Sequence, residues 1–215
     1  MGRVMRANQT DPDEGVLTAA TEVLLGGGVL VMPTDSVYGI GCAATPNNPA
    51  HERIFQIKRR DRAQTLPWLV SDVADLLLFG RDAPAWSVAL ARKFWPGALT
   101  LVVRASDAVP EEYRRAGEGT IALRCPGSNL VRELARRCGT PIATTSANTH
   151  GVEAATSGTT MEQRIVAEAD LTLDGGPAPL AVASTIVDCT GEEPKILRVG
   201  AIDPVELLRV ADAVR

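Results

Sequence analysis

Short apolar runs alternating with helical stretches predict an α/β protein whose sheet is covered by helices. Three observations carry this expectation. Val29–Met32, Leu99–Arg104 and Thr120–Arg124 are continuous or alternating apolar segments of strand length. Between such segments lie stretches of helical periodicity, the first marked by Val16, Leu17, Ala20, Val23 and Leu24. At 215 residues, the chain is long enough for a full hydrophobic core in one domain, without disulfides or zinc.

The elements follow in order. Gly26-Gly27-Gly28 stops the first helix, and Pro33 closes the buried strand Val29–Met32. Pro49 is well placed to start a helix running to about Arg59. Leu66–Val70 reads as a strand, and Val73–Phe79 and Pro84–Phe94 as helices, the latter stopped by Pro96-Gly97. After the strands Leu99–Arg104 and Thr120–Arg124 come a helix at Leu130–Arg137, a strand at Pro141–Thr145 and a helix at Met161–Ala169. Leu171–Leu173, Thr185–Asp188 and Ile196–Arg198 are the last strands, before a helix from Pro204. Gly175–Pro179 reads as a loop. In sheets of this class, function lies in the loops at strand ends.

Composition narrows the function classes. A net charge of −4 and a pI near 5.3 argue against binding nucleic acid over the whole surface. The 22 basic residues are 19 Arg and 3 Lys, so the place of each lysine is informative. Cys42, Cys125, Cys138 and Cys189 are dispersed, and neither His51 nor His150 sits near a cysteine; no protein-held metal is expected. The polar N-terminus and the lack of a run near ~20 apolar residues predict a cytoplasmic protein that does not enter the membrane. Gly39-Ile-Gly41-Cys-Ala-Ala44 matches a dinucleotide fingerprint on paper, but no helix follows. It is expected to be a turn and packing element. Both histidines are expected to be structural or solvated.

Three clusters carry chemistry. Pro33-Thr-Asp-Ser-Val-Tyr-Gly39 is a hydroxyl-rich turn leaving a strand, suited to a small polar ligand or a phosphate. Ile57-Lys58-Arg59-Arg60-Asp61-Arg62 lies at a helix C-terminus, where cations also relieve the dipole. Lys58 and Arg60 diverge if the helix continues, and converge on one anion if it unwinds between them. Ala143-Thr-Thr-Ser-Ala-Asn148 presents hydroxyls and an amide that can cap a turn or bond a ligand. Trp95-Pro-Gly97 reads as fold punctuation.

P-T-D-S-V-Y-G, K-x-R, F-W-P-G-A-L-T, S-A-N and Ser184-Thr-Ile-Val-Asp188 stand in the order and at about the spacing of the YrdC-like threonylcarbamoyl-AMP synthases, a family this chain resembles over about residues 15–205. The resemblance implies a single domain over 1–215: a twisted sheet of mixed parallel and antiparallel strands, with flanking helices and a large concave groove. It implies a nucleotidyltransferase that condenses L-threonine, bicarbonate and ATP, with Mg²⁺, to threonylcarbamoyl-AMP and pyrophosphate. The product serves a tRNA modification, so tRNA would be met indirectly or weakly, through proteins of a threonylcarbamoyl-transfer complex.

Carried over by motif, Lys58 and Arg60 match the K-x-R that holds ATP phosphates and would be the catalytic cations. Ser146 and Asn148 match the nucleotide-contacting S-x-N. Thr120 and Arg124 resemble a groove strand meeting nucleotide and threonine respectively. Ser36 stands where the family usually has a threonine-contacting Thr. Ser184 and Arg198 match later groove contacts, to threonine and nucleotide. The chain departs from the pattern at Thr65, at Ser128-Asn129 and at His150-Gly-Val-Glu-Ala-Ala155. Those departures leave two alternatives: a divergent paralogue using the same chemistry on another amine, or a non-catalytic module binding double-stranded RNA or tRNA. The second is motivated by the five cations of Arg53–Arg62.

Overall fold

The computed structural model describes residues 2–61 and 64–214, so Arg62 lies outside the described residues. Among these residues, eleven strands form one mixed sheet. Numbered along the chain, they lie across the sheet as β1 (Arg3–Arg6), β9 (Leu171–Asp174), β2 (Leu30–Met32), β3 (Gly39–Ala43), β8 (Ile142–Ser146), β4 (Trp68–Leu69), β7 (Thr120–Arg124), β6 (Leu99–Ala105), β10 (Thr185–Asp188) and β11 (Lys195–Arg198). A short β5 (Gly80–Arg81) pairs off this path with β6. The pairs β1–β9, β2–β9, β4–β7 and β6–β10 are parallel; the central run β2–β3–β8–β4 is antiparallel.

The helices are α1 (Glu14–Leu25), α2 (Pro49–Lys58), α3 (Asp75–Phe79), α4 (Ala85–Phe94), α5 (Asn129–Cys138), α6 (Gln163–Glu168) and α7 (Pro204–Asp212). Three begin on a carboxylate or amide cap. Asp13, Asn48 and Asp203 accept the backbone N–H groups of Gly15, Ala50 and Val205 at 2.8–2.9 Å. Prolines at the first position of α2 and α7 remove a donor that had no helical partner.

The sheet is buried on both faces because its strands feed two hydrophobic clusters. In β2, Val31 joins one cluster while Leu30 and Met32 join the other, as a two-residue side-chain period requires. Leu17, Ala20 and Leu24 of α1 and Leu130, Val131 and Leu134 of α5 cover one face. Ile54 and Phe55 of α2, Trp86 and Leu90 of α4, and Leu207 of α7 belong to the other cluster.

Most elements stand where expected; the short β5 has no counterpart among the expected strands, and three further differences stand out. Gly39–Ala43 is a fully buried central strand, not a turn. The packing half of that expectation holds: a Cβ on Gly41 would lie 2.7 Å from the Ala143 carbonyl oxygen. Gly41→Ala is expected to cost about 1–3 kcal/mol through overpacking, measured as a lower urea midpoint. The polar start contributes β1, an exposed edge strand whose single partner among the described residues is β9. Finally, the strand expected over Leu66–Val70 is confined to Trp68–Leu69; Pro67 has no N–H for a ladder.

Candidate functional site

A cavity of about 470 Å³ opens over the strands β3, β8, β4 and β7 and the Ser184 end of β10. Eight of the nine residues singled out from the sequence line it: Ser36, Lys58, Arg60, Arg124, Ser146, Asn148, Ser184 and Arg198. Thr120 does not. It begins β7 opposite Arg104, four residues and roughly 13 Å of strand from Arg124. Its side chain shares a face with Arg124, but it stands beyond the cavity's reach.

The Lys58 and Arg60 pair depends on where α2 stops. The helix ends at Lys58, and Arg59 takes a left-handed conformation, φ 52° and ψ 46°. The chain therefore unwinds between the two cations, and both turn into the cavity. Their surroundings differ sharply. Lys58 is 2% exposed. Its Nζ donates to the carbonyls of Ser146 and Asn148, the latter at 2.6 Å, and lies 3.4 Å from Asn148 Oδ1. Burial, helped by the Arg60 charge and opposed by Glu162, lowers its pKa to about 8. An ammonium has three N–H donors, so this one is committed to the S-A-N loop.

Arg60 is the more available cation. One terminal nitrogen donates to Thr145 Oγ1 at 2.8 Å, while its buried Nε–H has no partner among the described residues. A buried orphan donor is costly unless a ligand fills it. Asn148 resembles Lys58 in being engaged. Its Nδ2 donates to the carbonyls of Thr149 and Val152 at 3.0 and 2.7 Å, which organises the loop from inside.

At the other end, Arg124 is buried against an acid the sequence did not single out. Its guanidinium forms an ion pair with Asp35, donates to Ser36 Oγ at 2.7 Å, and gives Nε–H to the Gly97 carbonyl at 2.9 Å. Burial lowers its pKa and Asp35 opposes the shift. Trp95-Pro-Gly97 is thus more than punctuation, because it supplies one wall of the Arg124 socket. Arg198 donates to the Ser184 carbonyl and hydroxyl, and Ser184 Oγ shares a 2.8 Å hydrogen bond with Thr100.

The lining carries four cations and, among the described residues, no carboxylate. One of the four, Arg124, is already paired with Asp35 behind the lining. His150, in the loop after S-A-N, also lines the cavity, whereas His51 is buried on α2 against Phe55 and Tyr113. Of the Arg53–Arg62 run, Arg62 lies outside the described residues and Arg59 is exposed, while the other three cations are engaged or turned inward. Arg53 is paired with Asp170, Lys58 is buried, and Arg60 is in the cavity.

The family model Sua5/YciO/YrdC, described as "Telomere recombination", matches residues 22–200. The chain belongs to the Sua5/YciO/YrdC family. Within it, the chain is 31% identical over 203 residues to a threonylcarbamoyl-AMP synthase of Pyrococcus abyssi, covering 94% of this chain and 59% of that one. It is 33% identical over 174 residues to the Bacillus subtilis threonylcarbamoyl-AMP synthase, covering 81% and 50%. The chain thus spans between half and three fifths of those two relatives. A crystal structure of Pyrococcus abyssi Sua5 complexed with L-threonine superposes with a TM-score of 0.88, at 29% identity, covering 99% of this chain and 62% of that one. The Escherichia coli protein YciO, uncharacterized by name, is 27% identical over 205 residues and covers 98% of its own length. Its crystal structure superposes with a TM-score of 0.86, at 25% identity, with 97% and 100% covered. Among the described residues, no helix is long and apolar enough to cross a membrane.

Proposed function

We propose that this Sua5/YciO/YrdC member is an L-threonylcarbamoyladenylate synthase of the cytoplasm, joining L-threonine, bicarbonate and ATP and releasing pyrophosphate. One observation carries the reading: Lys58, Arg60, Ser146 and Asn148 gather at one cavity with Ser36, Arg124, Ser184 and Arg198. The cation-rich, carboxylate-free lining suits a triphosphate. With no acidic ligand in that lining, Mg²⁺ would enter on the ATP, held by phosphate oxygens and water.

In this reading, the threonine nitrogen attacks bicarbonate carbon, water leaves, and a carbamate forms. A carbamate oxygen then attacks the α-phosphorus and pyrophosphate departs. The protein's contribution is positioning and stabilisation of developing negative charge. Arg60 would meet the phosphates, with Lys58 adding charge from behind the loop. Arg124 and Ser36 would receive the amino acid, with Ser184 beside them, and Arg198 would contact the nucleotide. Thr120 has no direct part. The product would pass to proteins of a threonylcarbamoyl-transfer complex, leaving tRNA an indirect partner.

The deciding experiment is pyrophosphate release with each substrate omitted in turn. Release should require ATP, bicarbonate and L-threonine together; ATP binding without threonine dependence would overturn the proposal. A second reading has a specific observation behind it, since YciO matches from end to end. In that case the same chemistry acts on another amine, and a screen of amino compounds in the same assay would find it.

The Lys58 charge gives a pH signature. Its pKa is lowered to about 8, so the ammonium is present below that pH and lost as pH rises through it. ATP affinity is therefore expected to fall between about pH 7 and 9, well before an ordinary lysine titrates. Calorimetric titration across that range checks it, and the Lys58→Met variant should lose the dependence.

A further inference from the structure

The loop after β8 is built without proline: none occurs between Pro141 and Pro177. Side chains tie it down instead, and one of them is a carboxylate outside every motif. Glu162 precedes α6 as its N-cap residue but makes no cap bond to that helix. Instead both carboxylate oxygens turn to Thr149, the residue after S-A-N. Oε1 accepts Thr149 N–H and Oε2 accepts Thr149 Oγ1–H, each at 2.6 Å. Thr149 Oγ1 in turn accepts a hydrogen bond from Arg164 at 2.7 Å. The Thr149 bonds are the main reason the Glu162 carboxyl lies below its ordinary pKa.

On the other side of the loop, Lys58 Nζ holds the carbonyls of Ser146 and Asn148, and His150 N–H donates to the Lys58 carbonyl at 2.9 Å. Residues 146–150 are thus held from two elements, the end of α2 and the start of α6. Bonds with carboxylate or ammonium partners are stronger than neutral ones, so a single loop is pinned by one charge of each sign.

We propose that Glu162 is a positioning residue for the nucleotide half of the cavity: by fixing Thr149 it fixes Ser146 and Asn148 against Lys58. The inference rests on the ATP reading of the cavity, and two measurements keep the two claims apart. In Glu162→Ala, amide hydrogen exchange at Thr149 and its loop neighbours should accelerate at least tenfold in the absence of ligand. ATP should bind about tenfold more weakly, L-threonine should bind as in the wild type, and the melting temperature should stay within a few degrees. Thr149→Val, which removes the hydroxyl while keeping the shape, should weaken ATP binding in the same direction. Glu162→Gln retains an acceptor for Thr149 N–H and should lie between wild type and alanine. Unchanged exchange in Glu162→Ala, or equal weakening of ATP and L-threonine, would overturn the inference. If wild-type protein binds no ATP, the proposed function fails, and the exchange result alone decides whether Glu162 fixes the loop.

Discussion

Replacing Arg60 with alanine is expected to lower ATP-dependent pyrophosphate release by at least ~10²-fold while leaving thermal stability nearly unchanged. The magnitude is that of losing one preorganised donor from a site of developing charge. Arg60 can be removed without collapse because its protein bonds are few: Thr145 Oγ1 at 2.8 Å and a long contact to the Thr65 carbonyl. Lys58→Ala should show a comparable loss of rate with a different companion effect. It leaves the buried Asn148 carbonyl without its donor and the part-buried Ser146 carbonyl with only the Asn148 N–H, at about 1–3 kcal/mol for the unsatisfied group. The check is to measure rate and urea unfolding on the same preparations. If Arg60→Ala retains its rate, the phosphates are held elsewhere; if Lys58→Ala is as stable as wild type, its carbonyl bonds are unimportant.

Arg124→Met is expected to cost about 3–5 kcal/mol of stability, because it leaves Asp35 as an uncompensated charge in a buried place. The side chains of Arg124 and Asp35 are 7% and 13% exposed, so water can do little to repair the loss. Adding Asp35→Asn to that variant should recover part of the stability, giving a coupling above about 1 kcal/mol in a double-mutant cycle. Urea unfolding of the four proteins measures it. Additive losses would mean that the two groups do not depend on each other.

The sequence signals that succeeded were local ones. Strands β7 and β10 have the bounds that their apolar patterns announce, and Pro49 marks the start of α2 because its chemistry suits that one position. The signals that failed were local rules overridden by tertiary context. Two glycines in Gly39–Ala43 hide a strand that exists because β8 approaches too closely for side chains. Arg3–Arg6 holds only two apolar residues between arginines, and parallel pairing with β9 makes it a strand.

The site divides in the same way. Hydroxyls and cations stand in recognisable runs, and eight of the nine residues those runs single out line one cavity. Thr120 shares a strand and a face with Arg124, and its distance along the strand keeps it out of the cavity lining. Asp35 and Glu162 escaped notice as individuals because a carboxylate's partner, 89 residues away for Asp35 and 13 for Glu162, leaves no mark beside it. Local pattern can show which groups are available; only the fold shows which are already engaged.

The left-handed Arg59 gives the K-x-R run an unusual grammar. On a continuous helix, side chains two apart point roughly 200° apart, and the cavity would receive one cation or the other. One residue of opposite hand cancels that rotation, so the middle letter acts as a hinge pin rather than a spacer. The identity of that residue is therefore open to exchange, with glycine and asparagine the least strained choices. The count is not open: one residue more or fewer would send Arg60 away from the cavity, whatever its charge.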